Sequence, residues 1–257
     1  MRLYIVSDLH IYSAEDPVYR SLLSLIRDEI KSGDVLVLAG DIFDLFVGNK
    51  KIFREKYQLF LKSLEQATHA GAQIHYIEGN HDFQLRQVFQ GIQGLRVQDS
   101  EVILELSGKK FSVSHGDLAH SHDYPYLLLR KVLRSLLFKW TLKLIPGSWI
   151  HAVGQFWSKK SRDSQPVLFA HLPVERQEEL RKIYRNTAAQ KIVEGFDFVV
   201  MGHCHDLDEK LFQVAGRIGQ YMNVGYPRVH GSLLVWDSQA DGGESKIFRV
   251  KLPNSVI

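Results

Sequence analysis

Short apolar runs alternate with longer amphipathic stretches along the first third of the chain. Residues 3–6, 35–39 and 74–77 are aliphatic and aromatic runs of strand length, whereas 17–31 and 51–70 carry apolar residues at helical spacing. This strand–helix–strand order predicts βαβ units with parallel strands in an α/β fold. Further on, 102–106 and 110–114 predict a hairpin turning at Ser107-Gly108, 196–201 another strand, and 220–223 with 232–237 a closing β segment. Five of these runs stop in polar turns: Asp8-Leu9-His10, Gly40-Asp41-Ile42-Phe43-Asp44, Gly79-Asn80-His81-Asp82, His115-Gly116-Asp117 and Gly202-His203-Cys204-His205. In parallel sheets, ligands gather where loops leave the carboxyl ends of strands.

The pattern changes between His115 and His203. From Tyr124 to Arg162 there is no Asp or Glu, and Arg130, Lys131, Arg134, Lys139, Lys143, Lys159, Lys160 and Arg162 are interleaved with leucines and aromatics. This predicts a basic, amphipathic helical insertion at about 120–190, broken at Pro146-Gly147, that caps a single domain spanning 1–257. Such a surface suits an anionic amphiphile: its apolar face would bury acyl chains at about 25 cal/mol per Å². Its cations would meet a diphosphate or an anionic membrane surface. A helical hairpin that merely packs against the core is the competing reading.

Composition narrows the setting. The net charge of +3 is too small to call for nucleic acid. Cys204 is the single cysteine, so no internal disulfide forms. No run reaches the roughly 18 apolar residues of a spanning helix, and Met1 runs straight into a strand without a signal-peptide core. The expected location is the cytoplasm, with a peripheral role on the cytoplasmic membrane face open.

The polar turns carry the chemistry. Carboxylate, imidazole and amide-oxygen donors suit divalent cations such as manganese, iron or zinc better than thiolate-seeking metals. Asp-x-His and His-x-His spacings bring two donors to one strand end, and glycine before Asp41, Asn80 and His203 lets the backbone approach closely. One such triplet means little; five in order, each at a predicted strand end, define a metal site.

Taken together, these motifs resemble the calcineurin-like metallophosphoesterases. The resemblance implies a four-layer αββα sandwich holding two divalent metal ions, manganese foremost with iron or zinc as alternatives. It implies Asp8, His10 and His205 on one ion, Asn80, His115 and His203 on the other, and Asp41 between them. It also implies a hydroxide shared by the ions as nucleophile, His81 as the proton donor or charge stabiliser at the leaving oxygen, and Asp44 as the residue that orients His81. A helix N-cap is the plain structural alternative for Asp44.

The start of the insertion adds a narrower likeness. Asp123, Tyr126 and Arg130, following His115-Gly116-Asp117, look like the UDP-2,3-diacylglucosamine pyrophosphatases of lipid A synthesis, where a helical cap sheathes two acyl chains. The implied substrate-binding residues are Asp123, Tyr126 and Arg130, and the implied reaction yields a lipid monosaccharide phosphate and UMP. Two features depart from that subfamily. His81 stands where those enzymes usually have arginine, and 158–162 is only a loose counterpart of their polar stretch. Another nucleotide or lipid-linked phosphodiester or diphosphate is the alternative substrate. A non-catalytic scaffold would be expected to have lost ligands, and none is missing.

Overall fold

The computed structural model describes residues 1–121, 123–150, 152, 169–239 and 246–254. The stretch 158–162, with Lys159, Lys160 and Arg162, lies outside the described residues, as does His122.

Two sheets pack face to face. The first has six strands in the order β13 (Ile247–Lys251), β12 (Ser232–Asp237), β1 (Arg2–Val6), β2 (Val35–Ala39), β4 (Gln73–Ile77) and β6 (Leu95–Gln98). Its centre is parallel, with Ile5 opposite Val37 and Leu36 opposite Ile74, while β12 and β13 close one edge antiparallel. The second runs β10 (Glu209–Val214), β11 (Arg217–Asn223), β9 (Phe198–Met201), β8 (Lys109–Ser114) and β7 (Glu101–Leu106). Between the sheets lies an apolar layer that includes Leu3, Ile5, Val35, Val37, Phe111, Val113, Phe198 and Trp236. β1 and β2 therefore read as continuous apolar runs because both of their faces are covered.

Helices α1 (Pro17–Ser24) and α3 (Gln58–His69) pack on the outer face of the first sheet, around Tyr19, Leu22, Phe60 and Leu64. A short helix, α2 (Lys51–Lys56), precedes α3; the single helix expected over 51–70 breaks at Tyr57, a buried residue with φ −113°. Tyr57 sits wedged between Phe43 and Phe46, so core packing overrides local helical continuity there.

Next come α4 (Tyr124–Leu133) and α5 (Leu136–Leu144), then α6 (Val174–Val193). The span read as one insertion divides here. α6 sets Tyr184, Ala188 and Ile192 on Val199, Met201 and Tyr221, forming the outer layer of the second sheet. The layers are thus helix, sheet, sheet, helix, the αββα order that the family resemblance implied. No described helix is long and apolar enough to cross a membrane. A short ribbon, β3 (Phe46–Val47) beside β5 (Asp82–Phe83), and a one-turn α7 (Pro227–His230) complete the elements used below.

Candidate metal centre

The five polar turns converge where β1, β2, β4, β8 and β9 end. Their backbone is held in an unusual state: Asp8 (φ 56°), His10 (45°), Asp41 (52°), His203 (69°) and His205 (60°) all lie in the left-handed region. Such conformations cost non-glycine residues about 1–3 kcal/mol each and persist only where neighbours impose them, typically at functional sites. Here the neighbours are the turns themselves. Asp8 N–H donates to Gly40 O (3.0 Å), His10 N–H to Asp41 O (3.0 Å) and Gly202 N–H to His115 O (2.9 Å). Close approach also dictates two glycines. A Cβ on Gly79 would strike the Asp41 backbone and carboxylate, and one on Gly202 would strike Asp8 and Ser7.

Three groups of donors result: Asp8, His10 and His205; His10, Asp44 and His81; and Asp41, His115 and His203, each with ligand atoms within 4.8 Å of one another. Asn80 joins the last group, its Oδ1 lying 3.1 Å from His115 Nε2. His115 Nδ1–H donates to Ala39 O (3.0 Å), which turns Nε2 toward the site. Asp41 faces both sides: its Oδ2 is 3.5 Å from His115 Nε2 and 3.9 Å from His10 Nε2. Its Oδ1 meanwhile accepts from the N–H groups of Asn80 (2.8 Å) and His81 (3.0 Å). Asp8 accepts from the N–H of His203 at 3.1 and 3.0 Å.

Burial penalises charge throughout this cluster, and the local carboxylates decide who keeps it. At His115, Asp41 and Asp8 outweigh burial and push the imidazole up to about 10. His10 loses that contest and is brought down to about 3; His203, beside His115, falls to about 4. Asp41, although buried, is held well below the usual carboxylate range by His115 and His81. The ionised carboxylate of Asp41 and the neutral imidazoles of His10 and His203 are the protonation states that ligate a divalent cation, whereas His115 has to release its Nε2 proton to do so.

Residues 1–207 match a family described as calcineurin-like phosphoesterase. The chain belongs to that family. Among its relatives, UDP-2,3-diacylglucosamine hydrolase of Pseudomonas aeruginosa strain PAO1 is 24% identical over 209 residues, covering 81% of this chain and 86% of its own length. The protein of that name from Nitrosococcus oceani is 27% identical over 225 residues, covering 88% and 87%. The one from Vibrio parahaemolyticus is 25% identical over 246 residues, covering 95% and 97%. An archaeal phosphodiesterase of known structure aligns over 97% of this chain and 100% of its own, with a TM-score of 0.46 at 14% identity. As a calcineurin-like phosphoesterase, the chain is a metal-dependent hydrolase, and the donor set assembled here fits divalent ions.

Other residues of this phosphoesterase frame the donors. His81 is oriented by Asp44, but mainly through the main chain: His81 Nδ1 lies 3.1 Å from Asp44 O, against 4.0 Å from its carboxylate Oδ1. Asp44 leads into β3 and not into a helix, so it is no N-cap. Asp82, at the end of the same motif but given no task by the sequence, is fully buried. It accepts from Tyr76 OH (2.6 Å) and from the N–H groups of Asp41 (3.0 Å), Ile42 (2.7 Å) and Gly79 (2.9 Å). One carboxylate thereby clamps the two loops that carry Asp41 and Asn80.

The cap is tied to the centre through Asp117, where Tyr126 OH and Arg130 Nε each donate to Oδ2 at 2.6 Å. Tyr126 also lies 6.1 Å, ring to ring, from His203. Asp123 is turned to local use, capping α4 by accepting from Tyr126 N–H (3.1 Å). Arg134 reaches further, donating from Nη2 to Glu78 O (2.9 Å) and Gly79 O (2.8 Å), just before Asn80.

Proposed function

We propose that this phosphoesterase hydrolyses the pyrophosphate of UDP-2,3-diacylglucosamine, releasing a lipid monosaccharide phosphate and UMP at a pair of divalent cations, manganese foremost. One observation carries the choice of substrate class. A cap with an exposed apolar face (Leu136, Leu137, Trp140 and Leu144 are 66–86% exposed) is hydrogen-bonded directly to the turns that hold the metal donors. The names borne by the Pseudomonas, Nitrosococcus and Vibrio relatives support the same class.

In this reading Asp8, His10 and His205 would hold one ion and Asn80, His115 and His203 the other, with Asp41 available to both. Such ions supply Lewis acidity and lower the pKa of water when bound. His81 keeps Nδ1 on Asp44 O, so Nε2 is the nitrogen that gives a proton to the leaving oxygen as the phosphorus–oxygen bond breaks and water adds to phosphorus. Asp117 holds Tyr126 and Arg130 in one geometry, so these two side chains, with the N-capping Asp123, form the substrate-facing start of the cap. The exposed leucines and Trp140, together with Lys131, Lys139 and Lys143, suit acyl chains and an anionic membrane face, which supports a peripheral role on the cytoplasmic face of the membrane. Nucleic acid is not an expected partner.

His81 favours keeping one alternative, a different nucleotide or lipid-linked diphosphate, because an imidazole and a guanidinium would read the leaving group differently. The deciding experiment compares turnover of UDP-2,3-diacylglucosamine with that of UDP-glucosamine lacking acyl chains. A preference for the acylated substrate of tenfold or more in kcat/KM is expected. Equal turnover of the two would remove the acyl-binding role of the cap and leave a general nucleotide pyrophosphatase.

A further inference from the structure

Tyr226 lies beyond residue 207, where the family match ends, and in no motif of the sequence. The fold nevertheless brings it onto the metal centre. Its ring stacks on His205 with centroids 4.4 Å apart and planes 7° from parallel, and it meets His10 edge-on at 6.0 Å. A single aromatic therefore touches both histidines of one donor group.

The loop that presents this ring is tightly fixed. Gly225, at φ 86°, donates its N–H to Asn223 Oδ1 (3.1 Å), and a Cβ there would press on Leu207 and His230. Tyr226 N–H donates to His230 Nδ1 (3.0 Å), while Tyr226 O accepts from the N–H groups of Val229 and His230 at 2.9 Å. Two residues on, Arg228 donates to His10 O (2.7 Å) and pairs with the fully buried carboxylate of Asp16. The loop is thus bolted to the backbone of His10 itself.

The phenol end of this fixed ring is unspent. Among the described residues the Tyr226 hydroxyl makes no hydrogen bond, and the residue is only partly buried. A packing role alone needs only the ring. An O–H donor carried on a ring that packs against two imidazoles of a phosphoesterase centre has an evident acceptor, an anionic oxygen of the phosphoryl group under attack.

We propose that Tyr226 serves the centre twice: its ring fixes the plane of the His205 imidazole, and its hydroxyl donates a hydrogen bond to a phosphoryl oxygen of the substrate. No covalent step is involved. The proposal rests on the assignment of His10 and His205 to a metal ion and adds a substrate contact from outside the five motifs.

Two variants separate the parts. Tyr226→Phe keeps the ring and removes the donor; Tyr226→Leu removes the ring as well. Mn²⁺ affinity is measured by titration calorimetry, and inorganic phosphate affinity by competition against hydrolysis of bis-p-nitrophenyl phosphate. Tyr226→Phe is expected to bind Mn²⁺ like the wild type while losing up to about tenfold in phosphate affinity and in kcat/KM. Tyr226→Leu is expected to lose about 10–100-fold in Mn²⁺ affinity, the usual cost of freeing a ligand's support. A Tyr226→Phe protein equal to wild type in phosphate affinity and turnover overturns the hydroxyl contact. Unchanged Mn²⁺ affinity in Tyr226→Leu overturns the ring's role. Should the leucine variant not fold, the phenylalanine variant still decides the substrate contact. Wild-type protein that binds no Mn²⁺ sinks the metal assignment beneath both, and calorimetry on that protein alone reveals it.

Discussion

Asp41 and His81 are neighbours in space with separable tasks, and substitution should show it. Asp41 faces both donor groups with one oxygen and secures the Asn80–His81 backbone with the other. Asp41→Ala should therefore abolish turnover and lower metal content together, checked by activity assay and elemental analysis of the same preparation. His81 is held from the other side, its Nδ1 on Asp44 O and its own carbonyl accepting from Phe46 N–H, and it belongs to neither of the two groups assigned to the ions. His81→Ala should cut kcat by roughly 10²–10⁴-fold, the range for losing a general acid, with metal content intact. The loss should shrink for a nitrophenol leaving group, which needs no proton; an equal loss for good and poor leaving groups would assign His81 to charge stabilisation instead. The candidate donors were legible because each motif is local: Asp8 with His10, and His203 with His205, each fall within three residues, and Asp41, Asn80 and His115 stand one to three residues past a strand end. Asp82 and Tyr226 were harder to see. Asp82 acts on backbone N–H groups from a loop about forty residues away, as its bond to Ile42 shows, and no sequence spacing encodes that reach. Tyr226 comes near the donors only because β11 pairs with β9 and β12 with β1, which carries the loop between them back to the centre.

At the scale of elements, the cap divides along its own helices. Leu133 and Phe138 pack against the main core, with Phe138 6.3 Å from the ring of Phe83, and Leu142 is only 6% exposed. Leu137 and Trp140 are instead 76% and 66% exposed. Leu142→Ala should cost about 2–5 kcal/mol of stability, as truncation of a buried leucine does, read from chemical denaturation. Leu137→Ala and Trp140→Ala should leave stability nearly unchanged and raise KM for the acylated substrate only. Hydrolysis of a small chromogenic diester, which never reaches the cap, should stay as it was. If all three variants depress both substrates alike, the cap is core and the acyl-binding reading fails. The strong amphipathic pattern of 124–145 announced helices but could not say which apolar residues point inward, because both of their apolar faces read alike in one dimension. α6 was misassigned to the cap for a related reason. Its outer-layer role depends on Tyr184, Ala188 and Ile192 meeting β9 and β11, a pairing between segments that the intervening sequence does not announce.

For the whole molecule, metal binding and folding should be linked, since the donors come from turns of both sheets. Chelation followed by dialysis should abolish activity and lower the thermal midpoint, and Mn²⁺ should restore both. Saturation at 100 times the dissociation constant would add about 2.7 kcal/mol. Full activity after exhaustive chelation would end the two-ion reading. The alternation of apolar runs with amphipathic stretches fixed the βαβ beginning, and five short motifs fixed the site chemistry, because strand burial and metal ligation both leave local signatures. Only the tertiary structure decided that the second sheet stacks on the first and brings His115, His203 and His205 to Asp8 and Asp41. It alone sets Asp82 and Tyr226 around those donors and turns one face of the cap outward. Those choices rest on contacts between residues tens to hundreds of positions apart, and they are made when the two apolar sheet faces exclude water from between them.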